Sequence, residues 1–281
     1  MSKISNNKCV IGVDIDFTIA RFERSLGALN QARIVASVTG GNPEQIQMEL
    51  EAISLQLIAK NRASIGVIER VFDLHVHPVG LKLEERLWST AARFLVYIEE
   101  VGHDPTKYYH KAVEAEAAFW DGVGKMSGLY DDAQEFRETL RRFRLPVFAL
   151  TSSDARTHLC AEGRRIQYEF NHSIDLKYKR LQPSGIFDLI PREDIVVSDP
   201  WPKEDLRVWE LRVFPRFPER PDRAEWIFVG DTVYDMHAAL VAGVGTRIYL
   251  ERHAHTKRPA EATHCVQSLT EAGALIEELL T

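Results

Sequence analysis

Cysteine is scarce in this chain: three of 281 residues, Cys9, Cys160 and Cys265. An odd number of widely spaced thiols builds neither a disulfide framework nor a thiolate zinc site. Positive charge is not in excess either. Lys and Arg total 35 against 41 for Asp and Glu, a net charge of −6 with pI near 6.0, which gives no bulk attraction to nucleic acid or to an anionic membrane. No apolar run approaches the roughly 20 residues that span a bilayer. The start, MSKISNNKCVIGVDID, enters a strand-like run without the apolar stretch of a signal peptide. Internal repeats and low-complexity segments are absent. What remains, 45% hydrophobic and 27% charged residues, is the balance of a globular protein, and it excludes disorder and fibre. A reduced, cytoplasmic protein is expected. At roughly 150 residues per domain, it holds two domains or one core with an insertion.

Five short apolar runs stand out: Cys9–Asp14 (CVIGVD), Val147–Thr151 (VFALT), Asp194–Asp199 (DIVVSD), Trp226–Asp231 (WIFVGD) and Thr246–Leu250 (TRIYL). Each is strand length, β-branched or aromatic in character, and lacks alternation, as strands buried on both faces do. Helix-period segments separate them, including Arg137 to Arg144 and Tyr234–Val241. Alternating strands and helices predict a Rossmann-like parallel α/β sheet with helices on both faces. Ligands gather at the carboxyl ends of such strands, and four of the five runs end at or beside Asp or Thr.

Residues 22–128 break that rhythm with helical patterns and almost no strand signal. Asn42-Pro43-Glu44 is a helix start, with a capping Asn, Pro at the first helical position and an acid in the first turn. Ile46, Leu50, Ile53 and Leu57 follow at helical spacing, as do Leu87, Ala91, Phe94, Leu95 and Ile98. Asp104-Pro105 opens a further helix toward Phe119 and Trp120. The expected division is therefore an α/β core of residues 1–21 and 129–281, with an all-helical insertion at 22–128.

The chemistry-bearing residues sit at strand ends. Asp14, Asp16 and Thr18 alternate where the first strand leaves the sheet, so they begin on one side. Paired carboxylates repel and require a cation or a shared proton, which suits one acid as nucleophile and the other as proton donor and acceptor. Taken alone, the same pattern is also a strand-end Asp capping a turn beside a surface Asp. Gly230 frees the backbone for a sharp turn, and Asp231 and Asp235, four apart, can face one hard cation that prefers oxygen ligands; an ordinary Asp cap is the alternative. Thr151 and Ser152, before Ser153-Asp154, place a hydroxyl and free amides where a phosphate would bind, or again a cap. Lys203 follows the IVVSD run at a helix start, where the dipole disfavours a cation unless an anion lies between.

In this order and setting the residues resemble the four motifs of the haloacid dehalogenase-like (HAD) hydrolase superfamily: Asp14/Asp16/Thr18, Thr151, Lys203 and Asp231/Asp235. The segment LYDDAQEFRETLRRFRLPVFALTSSDAR is similar to the approach to the second motif. THCVQSLTEAGALIEELL is similar to the closing strand and helix, with Ser268 and Glu271 spaced as a capping box. The helical insertion stands where the phosphoglycolate-phosphatase-like branch carries its cap. The resemblance implies a magnesium-dependent phosphatase of a small phosphorylated metabolite. Asp14 would be the nucleophile forming an aspartyl-phosphate, and Asp16 the acid and base. Mg²⁺ would be held by Asp14, the Asp16 carbonyl and Asp231, with Asp235 binding or orienting that site. Thr151, Ser152 and Lys203 would bind the phosphate, and Thr18 would support the acids. The helical cap would close over the site and select the substrate. Neither nucleic acid nor membrane is an expected partner, and the chain would be a monomer or homodimer. A sugar-phosphate mutase would keep all these residues. A dehalogenase of the same fold would need no Asp16, Asp231 or Asp235, and a binding module would have lost the nucleophile or the acid.

The chain departs from the family pattern in two places. Phe17 replaces a small Gly, leaving the backbone less free near the phosphate, and the stretch from Ala155 to Arg192 is long, with an unusual Tyr168–Arg180 segment (YEFNHSIDLKYKR). Lys177 and Lys179 in that polar stretch are expected to be solvated. The pairs His75/His77 and His253/His255 lack a third zinc ligand at a recognised spacing. Arg137, Arg141, Arg142 and Arg144 are expected on the solvated face of a helix, and Tyr97, Tyr108, Tyr109, Phe119 and Trp120 in the core of the insertion, the alternative being that one or two of them line the cleft.

Overall fold

The computed structural model describes residues 3–59, 61–71, 90–152, 159–162, 165–168, 170–199, 201–252 and 258–281. They form two compact units, one of Met1–Phe22, Ser127–Ser152 and Ser184–Thr281, the other of Glu23–Met126 and Ser153–Pro183. The His75/His77 and His253/His255 pairs, Leu87, Ser153 and Asp154 lie outside the described residues. Among the described residues no helix is long and apolar enough to cross a membrane.

The first unit is built on a six-stranded sheet. Its strands are β1 (Ile11–Val13), β2 (Val147–Thr151), β3 (Ile195–Val197), β4 (Ile227–Gly230), β5 (Thr246–Leu250) and β6 (His264–Val266). Their order is β6-β5-β4-β1-β2-β3, with every pairing parallel. The strands are apolar on both faces because helices cover both. The helix Ala133–Arg142 packs beside Leu269–Leu280. The helix Val233–Val241 joins a core with Trp209, Val213, Phe217 and Trp226. The chain runs outward from β1 through β2 to β3, then returns to the other side of β1 at β4. That reversal makes the carboxyl ends of β1 and β4 the crevice where such sheets bind ligands. A short antiparallel pair, Ala20–Arg21 with Gly128–Leu129, was not anticipated. Two residues per strand are too few to leave a pattern in the sequence.

The second unit is mainly helical: Ser25–Thr39, Pro43–Ile58, Arg62–Val71, Thr90–Glu100, Tyr109–Lys125 and Phe170–Leu181, with a hairpin of Leu159–Glu162 and Arg165–Tyr168. Asn42 caps its helix as expected, its side chain accepting from Gln45 N at 3.0 Å. Ile46, Leu50, Ile53 and Leu57 are buried against Ala91, Phe94, Leu95 and Ile98. Asp104 caps a 3₁₀ turn, Pro105–Lys107, that leads into the long helix. Gly27 and Gly122 let two helices cross closely, since a Cβ on Gly122 would lie 2.7 Å from the Gly27 Cα. Tyr97, Tyr109, Phe119 and Trp120 are buried and Tyr108 partly so.

Of the segment expected in the α/β core, the described residues 159–162, 165–168 and 170–183 group by contacts with the helical unit. The helix Phe170–Leu181 packs on Tyr109–Lys125, and a Cβ on Gly124 would meet Arg180 O at 2.9 Å. Lys177 is fully buried and Arg180 is 2% exposed, so the solvated role expected for Lys177 is wrong; only Lys179 is exposed. Long cationic side chains can bury apolar stems. For that reason a packed helix face here has the composition of a surface. Arg141, Arg142 and Arg144 are exposed and Arg137 is half-exposed, as a solvated face requires.

Candidate active site

Asp14 is the first residue beyond β1, its amide donating to Val229 O of β4 at 2.9 Å. The chain then turns tightly. Ile19 N and Ala20 N both donate to Ile15 O, at 3.0 and 2.9 Å, and Phe17 N donates to Ala20 O at 2.7 Å. Phe17 takes φ 63°, the left-handed region that favours glycine. The preference for Gly here is therefore a backbone requirement that Phe17 meets under strain. The turn buries Thr18, whose Oγ1 donates to Asp231 Oδ1 at 2.9 Å and lies 3.3 Å from Asp14 Oδ2. Asp16 is half-exposed at the rim.

Lys203, in the turn that follows β3, reaches the same point. Its Nζ donates to Asp14 Oδ1 and, at 2.7 Å, to Asp235 Oδ1. Lys203 does not begin a helix, contrary to expectation. Asp205 caps the short helix Leu206–Val208 instead, and the buried Trp209 fixes Lys203 by donating its indole N–H to Lys203 O at 3.0 Å.

Asp231 follows β4 but does not cap the next helix. Thr232 does, in a reciprocal capping box with Asp235: Asp235 N donates to Thr232 Oγ1 at 3.1 Å, and Thr232 N and Oγ1 donate to Asp235 Oδ2 at 3.1 and 2.6 Å. Gly230 contributes room rather than the sharp turn expected of it. A Cβ there would sit 2.5 Å from the Asp235 Cβ, so any larger residue would displace that carboxylate. Thr151 is fully buried at the end of β2. The Val13–Ala149 register places it level with Ile15, at the same sheet edge as the acids. Its hydroxyl lies 3.4 Å from Ser152 O. Ser152 is exposed. Lys203 bridges Asp14 and Asp235, and Thr18 bridges Asp14 and Asp231.

Burial pushes the Asp14 carboxyl well above its usual range; Lys203 pulls it back, and Asp235, Asp231 and Asp16 push it up further. Asp231 is pushed up to about 6 by burial and by Asp235, against the opposing hydrogen bond from Thr18. Burial alone would depress the Lys203 ammonium, but Asp14 and Asp235 outweigh it and hold that group above its ordinary value. The Asp14, Asp231 and Asp235 carboxylates each bring an oxygen within 4.8 Å of the others. Lys203 is one ammonium facing three clustered acids with Asp16 alongside. An all-oxygen, under-neutralised set of this kind fits a hard dication such as Mg²⁺. Asp14, Asp231 and Asp235 each spend at least one carboxylate oxygen on Lys203, Thr18 or Thr232, and each such oxygen keeps a second lone pair for a cation.

Arg252, which the sequence reading passed over, sits directly behind this loop. Its Nη2 and Nε lie 3.1 and 3.3 Å from Thr18 O. It stands two residues past β5 at the same sheet edge as the other site residues, the one cue that could have found it.

No protein-family model matches the sequence, and no curated protein matches it. The fold does have close counterparts. A magnesium-bound protein of Bacillus subtilis assigned as a HAD hydrolase, YfnB, superposes with TM-score 0.56 at 16% identity, covering 98% of this chain and 100% of that one. This chain has the haloacid dehalogenase-like fold. A 2-haloacid dehalogenase of Pseudomonas syringae shares it at TM-score 0.53 and 14% identity, over 99% of each chain. A Thermotoga maritima protein assigned as a β-phosphoglucomutase does so at 0.52 and 14%, covering 96% of this chain and 98% of that one. Phosphoryl and halide chemistries both occur on this HAD fold, so the choice between them rests on the site.

Proposed function

We propose that this protein is a magnesium-dependent phosphatase that hydrolyses a small phosphomonoester through an aspartyl-phosphate on Asp14. The observation that carries the reading is the buried contact of Asp14 with both Lys203 and Thr18, with Asp231 and Asp235 at the other ends of those two bridges. A dehalogenase has no use for a second acid or for a paired acid beyond the fourth strand, and this chain keeps both.

Asp14 attacks phosphorus in line, forming an Asp14 Oδ–P bond as the ester P–O bond breaks. Asp16, half-exposed at the rim, gives its proton to the departing alkoxide. It then takes a proton from the water that cleaves the acyl phosphate, regenerating Asp14 and releasing phosphate. Lys203 meets the charge on the transferring phosphoryl oxygens, with Thr151 and Ser152 at the adjacent strand end. Thr18 holds Asp14 and Asp231 in register. Asp14, Asp231 and the Asp16 carbonyl would hold magnesium, with Asp235 orienting Lys203 beside it. When bound, the dication offsets the repulsion between the Asp14 carboxylate and the phosphate.

The test is phosphate release from a panel of phosphorylated metabolites and one generic phosphomonoester, with Mg²⁺ and with excess chelator. Release only with Mg²⁺ supports the reading, and activity unchanged by chelator removes the metal from it. Isomerised sugar phosphate in place of free phosphate would identify a mutase.

A further inference from the structure

The loop that carries Asp14, Asp16 and Thr18 leaves β1 through a strained turn at Phe17, and a strained turn persists only where its surroundings over-determine it. Besides the loop's own hydrogen bonds, one guanidinium restrains it. Arg252 places Nη2 and Nε on Thr18 O at 3.1 and 3.3 Å, and Nη2 also donates to Asp132 Oδ1 at 2.8 Å. Its Cζ stacks 3.8 Å above the Tyr130 ring. Tyr130 in turn donates its amide to Ile19 O at 2.9 Å, so consecutive carbonyls of the loop are both held. Asp132 anchors the assembly to the frame, accepting from Leu269 N at 2.8 Å at the start of the last helix. The Arg252 and Asp132 side chains are 12% and 17% exposed, which makes this a shielded ion pair rather than a surface one.

We infer that Arg252 is a positioning residue: by clamping the Thr18 carbonyl it aims the Thr18 hydroxyl at Asp231 and sets the separation of Asp14 from Asp231. The inference rests on the proposed phosphatase reading for its catalytic consequence, but not for its geometry. Arginine is required because only a planar fork can place two donors on one carbonyl, a third contact on a carboxylate, and a flat face on an aromatic ring. Lysine keeps the charge and one of these contacts.

The test compares wild type with Arg252→Lys and Arg252→Met as full chains by three measurements. Amide hydrogen exchange at Phe17, Ile19 and Ala20 should accelerate about tenfold in Arg252→Met while Ile11–Val13 stay protected, with Arg252→Lys intermediate. Mg²⁺ binding by calorimetry should weaken about tenfold in Arg252→Met. In steady state kcat should fall about 10- to 100-fold with KM nearly unchanged, because the substrate is bound but the nucleophile is misplaced. Unchanged exchange in the loop of either folded variant overturns the clamp. Faster exchange with unchanged Mg²⁺ affinity and unchanged kcat overturns the positioning role. If the wild type releases phosphate from no substrate, the phosphatase reading fails separately, and loop exchange and Mg²⁺ affinity still decide Arg252. If Arg252→Met does not fold, Arg252→Lys carries the same three comparisons.

Discussion

Lys203 and Asp235 form an ion pair of 2.7 Å with side chains only 7% and 1% exposed. The second oxygen of Asp235 accepts from Thr232, so Asp235 holds the lysine against Asp14, while Asp231 accepts from Thr18 beside them. This division of labour explains why two acids follow β4. On the proposed reading, one orients the phosphate-binding lysine and the other contributes to the metal site.

Removing Lys203 should therefore have two effects. Losing a positioned contact to the transferring phosphoryl group costs about 3 kcal/mol, or about two orders of magnitude in kcat. Lys203→Ala also leaves Asp14 and Asp235 buried without their counter-charge, which lowers stability by about 3–5 kcal/mol at neutral pH. Lys179→Ala should match wild type in both respects. Lys177→Ala should keep its kcat but unfold at lower temperature, because the fully buried Lys177 packs in the helical unit. Steady-state kinetics and thermal unfolding of the three variants check this. A large kcat loss in Lys177→Ala with Lys203→Ala unaffected would relocate the phosphate site.

Asp14→Asn should abolish turnover while the fold persists, since an amide is a poor nucleophile and a neutral isostere lessens the crowding of acids. Asp16→Asn should slow both formation and hydrolysis of the phosphoenzyme. Trapping the intermediate by rapid quench separates the two. Label should appear on Asp14 in wild type and be lost in Asp14→Asn. Label on any other residue refutes the assignment.

Five of the six strands were readable in the sequence because they are buried on both faces and stand as apolar runs, whereas His264–Val266 at the sheet edge is only partly buried; the acids were readable because they follow such runs. Other features were hidden for physical reasons. The Phe170–Leu181 helix buries Lys177 and Arg180, so its packed face has no apolar signature. The capping role fell to Thr232 rather than Asp231, a one-residue difference that spacing alone does not settle. Gly230 matters for the space it leaves beside Asp235, which only the folded packing reveals. Arg252 is one of 35 Lys and Arg residues, and no local pattern marks the carbonyl it clamps.

Without metal, stability should depend on pH through Asp231. Its carboxyl is pushed up to about 6 from an ordinary 3.8 by burial and by Asp235. The native state thus holds that proton more tightly than the unfolded chain does. Stability contributed by the protonated form is present below about 4 and is lost as pH rises through about 6. Asp231→Asn removes this residue's share of the dependence and leaves that of Asp14, whose carboxyl is also raised. The variant should gain stability relative to wild type between pH 4.5 and 7 in chelator, by urea denaturation of both proteins. Saturating Mg²⁺ should stabilise wild type at pH 7 and reverse the order. A stability difference that does not change with pH would show that Asp231 titrates normally.

The turn at Phe17 allows a test in which the usual ranking of residues inverts. Its φ of 63° costs a residue with a Cβ about 1–2 kcal/mol. Part of that cost is offset by the ring, which packs against Phe22 with centroids 4.5 Å apart, an aromatic pair worth about 0.5–1.5 kcal/mol beyond its buried area. Phe17→Ala forfeits the ring and keeps the strain. Phe17→Gly forfeits the ring and relieves the strain, at an entropic cost of about 0.5–1 kcal/mol in the unfolded chain. Strain relief exceeds that cost, so Phe17→Gly should be the more stable of the two by about 0.5–1 kcal/mol, whereas at most positions alanine is preferred. Both should be less stable than wild type, because the lost ring contact and its burial together outweigh what glycine recovers. Urea denaturation of the three proteins measures the order directly. If Phe17→Ala proves more stable than Phe17→Gly, the turn carries no left-handed strain in solution, and the loop bearing the acids is set by its hydrogen bonds alone.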